Sequence, residues 1–108
     1  MNFTEYQAEA IKTIVYDQRF KLIYPSLGLV AEAGEVSGKV SKVLRDKNGI
    51  VTKEDEIDLK KELGDVLWFI AVLCNDLGIT LEEVAQVNLD KLRSRMERGK
   101  IQGSGDNR

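Results

Sequence analysis

Three observations make an all-α, four-helix bundle-like fold the expectation for this sequence. Apolar residues recur at spacings of three and four over four stretches of chain. Short polar connections rich in turn and capping residues separate those stretches. The one extended-looking piece, Ile50–Val51, is two residues long and makes no sheet.

The first helix is expected from Phe3 to about Phe20, with Tyr6, Ala10, Ile14 and Val15 on one face and Thr4 as its N-cap. Pro25, the only proline, suits the first turn of a second helix running to about Arg45. Its apolar stripe is Leu29, Val30, Ala33, Val36, Val40, Val43 and Leu44. Asn48-Gly49 marks the turn of the polar connection DKNGIVTKED. Thr52 or Asp55 caps a third helix that stops at Gly78. Thr80 and Glu83 form a capping box for a fourth, continuing to about Arg98. Residues 1–98 therefore form the helical domain, and the glycine-rich tail 99–108 has no fold of its own.

Composition narrows the chemistry. A chain of 108 residues suits one domain, and 43% hydrophobic with 31% charged residues is the balance of a globular protein. Net charge is -2, so no basic field favours a nucleic acid polymer. There is no histidine, which removes the commonest general base and transition-metal ligand. The single cysteine, Cys74, lies in the apolar run from Val66 and reads as a buried structural thiol. That run is far too short to span a bilayer. The segment MNFTEYQAEA has no basic stretch followed by an apolar one, so it does not read as a signal peptide, and a cytoplasmic location is expected. Four short helices bury a thin core alone, which predicts a homo-oligomer, a dimer or tetramer.

Two short patterns carry the chemistry: Glu32-Ala-Gly-Glu35 and Glu62-Leu-Gly-Asp65. Acids three residues apart share a helix face. Folding helices two and three back on each other sets Glu35 level with Gly64, so all four acids fall within about a turn and a half. Four adjacent carboxylates repel, and a divalent cation relieves that directly. Oxygen-only ligands without histidine favour a hard ion, Mg²⁺ or Mn²⁺, and Mg²⁺ commonly binds carboxylates together with substrate phosphates. Gly34, Gly38 and Gly64 lie inside the helices beside the acids, where close helix approach or room for a ligand would explain them. The bland alternative pairs the acids with Lys39, Lys42, Lys60 and Lys61 as a solvated surface, and makes the protein a non-catalytic interaction module.

At these residues the sequence resembles the MazG-like nucleoside triphosphate pyrophosphohydrolases of the all-α NTP pyrophosphatase superfamily, whose signature is Glu-x-x-Glu, a spacer, then Glu-x-x-Asp. EYQ at 5–7, YPSLGLVAEAGEVSGKVSK at 24–42, ELGDVLWFIA at 62–71 and NLDKLRSRMERGKIQGSGDNR at 88–108 extend the likeness over nearly the whole chain. The resemblance implies hydrolysis of an NTP or dNTP to monophosphate and pyrophosphate, in a house-cleaning role. Glu32, Glu35, Glu62 and Asp65 would hold Mg²⁺ against the phosphates, with one glutamate orienting or deprotonating water. Asn88, Lys91 and Arg95 on helix four, and Lys39 one turn after Glu35, are candidates to meet phosphate oxygens. Trp68, one turn after Asp65, is a candidate to stack on a base, with core packing as its alternative.

Overall fold

In the computed structural model, which describes all of residues 1–108, the chain is wholly helical. The elements are α1 (Phe3–Ala10), α2 (Ile23–Lys47), α3 (Lys53–Leu77) and α4 (Leu81–Glu97), with 3₁₀ turns at Ile11–Thr13 and Gln18–Phe20.

α2 and α3, 25 residues each, form an antiparallel hairpin pinned at both ends. At the turn, Asn48 (φ 52°) and Gly49 (φ 78°) adopt the left-handed conformation, and the Gly49 amide donates to the Val43 carbonyl at 3.1 Å. Of the two candidate caps, Thr52 is the one used. Its hydroxyl accepts from the Asp55 amide, and the Asp55 carboxylate accepts from the Thr52 amide at 2.9 Å. Lys47 donates to the same carboxylate at 2.7 Å across the turn, and these bonds hold Asp55 down at about 2. At the other end the helices meet at Gly28, where a Cβ would lie 2.2 Å from the Phe69 ring. Close approach is thus achieved at Gly28. Gly34, Gly38 and Gly64 have nothing within 4 Å of a built Cβ.

The first helix is shorter than the sequence suggests. Asn2, not Thr4, is its N-cap, in a capping box with Glu5, and regular helix stops at Ala10. Four β-branched residues, Ile11, Thr13, Ile14 and Val15, disfavour continuation, and the Thr13 hydroxyl donates to the Ala10 carbonyl at 2.7 Å. The following segment is tied instead to α3. The Tyr16 hydroxyl donates to both Asp76 oxygens (3.1 and 2.9 Å), and the Leu22 amide donates to one of them at 2.9 Å. Tyr16 stacks on Tyr24 at 4.8 Å, while Leu22, before α2, sits at φ 68°, a rare conformation for a branched side chain. Pro25 lies in the first turn of α2, fully buried.

α3 ends at Gly78 (φ 72°), and the Thr80–Glu83 capping box opens α4 after a 103° bend. No single helix is long and apolar enough to cross a membrane. The core is small. Ala10, Ala71, Cys74 and Leu81 cluster where α1, α3 and the start of α4 meet, and burial pushes the Cys74 thiol up. Of the seven apolar positions expected along α2, only Val43 is buried, and Val30 is 72% exposed. The radius of gyration is 16.7 Å, against about 13 Å for a closed domain of this length.

Gln7 joins the three elements around that core. Its amide donates to the carbonyls of Ala71 and Ile79, each at 3.2 Å, and its oxygen accepts from the Leu81 amide at 2.9 Å. The Leu81 amide is one of the helix N-terminal donors that α4 cannot satisfy itself. Gln7→Leu keeps the volume and removes all three bonds. It is expected to cost about 2 kcal/mol by leaving buried groups unpaired. That corresponds to a fall of roughly 10 °C in Tm, measurable by circular dichroism. An unchanged Tm would show that these bonds contribute nothing net.

Candidate functional site

The hairpin register decides which acids meet. With α2 and α3 fixed at the Asn48 turn and at Gly28, the third and fourth turns of α2 face the middle of α3. One carboxylate oxygen each from Glu32, Glu62 and Asp65 then lies within 4.8 Å of the others. Glu35 stands outside this triplet, exposed, yet near enough for its charge to act on Glu32. The Glu32 carboxyl is pushed above its ordinary value, first by partial burial and then by the charges of Asp65, Glu62 and Glu35. Lys39 is the one cation at ion-pair distance from the group, 3.3 Å from Glu62.

This donor set suits a hard divalent cation. Three carboxylates from two rigid helices offer oxygen only, and Mg²⁺ or Mn²⁺ fills its remaining positions with water or phosphate. Gly34 and Gly64, each beside an acid of the group, leave the neighbouring helix surface open.

Sequence reasoning did not single out Tyr6 for the site. Its hydroxyl is pushed up by burial and by the charge of Asp65, which places α1 at the edge of the acidic group. The docking of α1 on α3 is what brings it there, and no local pattern announces that.

The other expected residues are distributed differently. Trp68 is half-buried and packs edge-on against Phe69 at 4.9 Å, and its indole N–H donates to the Thr13 hydroxyl at 2.7 Å. Core packing and loop anchoring therefore account for it in this state. Asn88, Lys91 and Arg95 ride on α4, beyond the bend. Asn88 is exposed, whereas Lys91 and Arg95 both lie near Asp106 of the tail, at 3.8 and 3.9 Å. The structure brings neither cation to ion-pair distance of the acidic group.

A family model described as the MazG nucleotide pyrophosphohydrolase domain matches residues 25–99. The chain is similar to the Gene 37 protein of Mycobacterium phage L5, 50% identical over 114 residues and covering 100% of both chains. Two uncharacterized proteins of Bacillus subtilis (strain 168) also match. YvdC is 31% identical over 64% of this chain and 70% of its own, and YpjD 32% identical over 74% and 76%. No solved structure matches the chain significantly.

The raised Glu32 carboxyl gives the metal reading a stability signature. A carboxyl whose folded value lies above its unfolded one stabilises the fold at low pH, and that stability is lost as pH rises through the folded value. In metal-free protein Glu32→Gln should therefore raise Tm at pH 7 and leave it unchanged near pH 4. Mg²⁺ should raise the wild-type Tm at pH 7 and do little for the variant. Thermal melts with and without chelator check both, and equal metal responses would exclude Glu32 as a ligand.

Proposed function

Taking as premise that this chain belongs to the MazG nucleotide pyrophosphohydrolase domain family, we propose that it hydrolyses a nucleoside triphosphate, ribo or deoxy, to monophosphate and pyrophosphate with Mg²⁺. The observation that carries this reading is the convergence of Glu32, Glu62 and Asp65 from two helices. Three carboxylates alone repel a triphosphate. With a divalent ion between them the same group attracts one.

Glu32, Glu62 and Asp65 would hold the ion, Mg²⁺ before Mn²⁺. Bound there, it would neutralise phosphate charge and make a nearby water more acidic. Glu35, outside the triplet and free of a cation partner, would take the proton from the attacking water. Attack falls on the α-phosphorus, the bond from that atom to the α–β bridging oxygen breaks, and pyrophosphate leaves. Lys39, 3.3 Å from Glu62, would meet a phosphate oxygen. Asn88 and Lys91 would contribute through phosphate contacts made after rearrangement or from a second copy, and Arg95 through the tail it anchors. The reading includes a cytoplasmic, house-cleaning role.

A homo-oligomer belongs to the proposal. The chain exposes 7903 Å², roughly a third more than the about 6000 Å² expected for a closed protein of its mass. The excess per chain is about twice the roughly 800 Å² each partner contributes to a standard interface. Ile23, Leu27 and Val30, all more than half exposed, make an apolar stripe on α2 that a second copy would cover.

Two measurements test these statements. Pyrophosphate release from a panel of NTPs and dNTPs should require Mg²⁺ and fall about 10²-fold or more in Glu35→Gln, a usual scale for losing a general base. That variant should keep the Mg²⁺-induced rise in Tm. Orthophosphate as the product, or no release by folded protein, would overturn the reading. Sedimentation equilibrium should give a mass at least twice 12.1 kDa, and Val30→Lys should shift it toward the single chain. A wild-type monomer at micromolar concentration would remove the second copy.

A further inference from the structure

The tail beyond α4 is held by its contacts rather than by a fold of its own. It contains no helix or strand, yet arginines lock it to itself and to α4. The Arg108 guanidinium donates to the carbonyls of Lys100 (3.2 Å), Ile101 (2.9 Å) and Gly105 (2.7 Å), closing residues 100–108 into a loop. Arg98 donates to the Arg108 carbonyl at 2.8 Å. Gly103, at φ 114°, lets Arg108 close over it, since a Cβ there would meet the Arg108 side chain at 3.2 Å.

Arg95 fixes this loop to the helix. It is 6% exposed, the only buried charged residue of the chain, and one guanidinium nitrogen donates to the carbonyls of Gly105 (3.3 Å) and Asp106 (2.9 Å). Its Nε is buried without a partner. The main chain of the loop is thus held firmly, and the Asp106 carboxylate is not. That carboxylate is 92% exposed and held by charge alone, between Lys91 and Arg95.

From this asymmetry we propose that residues 99–108 form a locked strap whose Asp106 acts as a built-in competitor for anions at Lys91. That Lys91 meets an anion, and that the anion is a phosphate, rest on the function proposed above; the strap and its locks do not. An exposed ion pair near 4 Å is weak and is screened by salt. A polyphosphate presents several charged oxygens to the same lysine and displaces a single carboxylate. The strap then sets the concentration at which α4 accepts an anion, while Arg95 keeps the displaced loop attached.

The test is a calorimetric titration of the full chain with inorganic tripolyphosphate, without divalent cation so that the acidic group is not recruited. Asp106→Asn should bind about three- to fivefold more tightly than wild type, the upper part of the range that release of one exposed ion pair allows. Asp90→Asn removes one negative charge from α4 itself and should bind within about twofold of wild type. Arg108→Gln keeps Asp106 but unlocks the loop, and should raise amide exchange across residues 101–107 and give part of the same gain. Equal affinities for the Asp106 and Asp90 variants, weaker binding by Asp106→Asn, no gain from the unlocked strap, or no binding by any variant would each overturn the proposal. Failure of nucleotide hydrolysis would leave this titration unaffected.

Discussion

The register of the α2–α3 hairpin is the constraint on which the site depends. Carboxylates do not gather of their own accord; Glu32, Glu62 and Asp65 are brought together against their mutual repulsion by contacts elsewhere. At one end, left-handed Asn48 and Gly49 and the Lys47–Asp55 pair close the turn. At the other, the Phe69 ring fills the space that a side chain at Gly28 would take. A slip of one residue would rotate an acid by about 100° off the shared face. The two pins therefore stabilise a hairpin whose middle is electrostatically unfavourable until a cation occupies it.

Much of this was legible in the sequence because it is local. Thr52, Gly78 and the Thr80–Glu83 box act within a few residues of the helix ends they define, and each appears where its residue type predicts. The acid pairs were legible for the same reason, with a short connection supplying the second dimension. What escaped was non-local. Beyond Ala10, where β-branched residues weaken α1, Asp76, sixty residues from Tyr16, ties the following segment to α3. Propensity alone could not register that tie. The relation of Asn88, Lys91 and Arg95 to the acids depends on the angle of one bend, and spacing along α4 carries no information about it. The order in the tail was hidden because arginine-to-carbonyl bonds follow no sequence period.

The thin core and the open site share a cause. Burial is concentrated at one end of the molecule, where α1 crosses α3 and α4 begins, and the acidic stretch lies beyond it with glycines facing open space. Packing that enclosed the acids within one chain would also exclude a triphosphate. The apolar surface left on α2 is compatible with solubility when a second copy covers it, which keeps the acidic face free for ligand.

Gln7 also orders events in time. Its three bonds reach residues 64, 72 and 74 positions further along the chain. During synthesis α1 emerges before its acceptors and donor, which are all made only when α3 is complete and α4 has started. The hairpin of α2 and α3, whose contacts are nearer in sequence, can form while α1 still lacks a place to dock. Of the four helices, α1 is therefore the one whose tertiary bonds wait on chain made well after it.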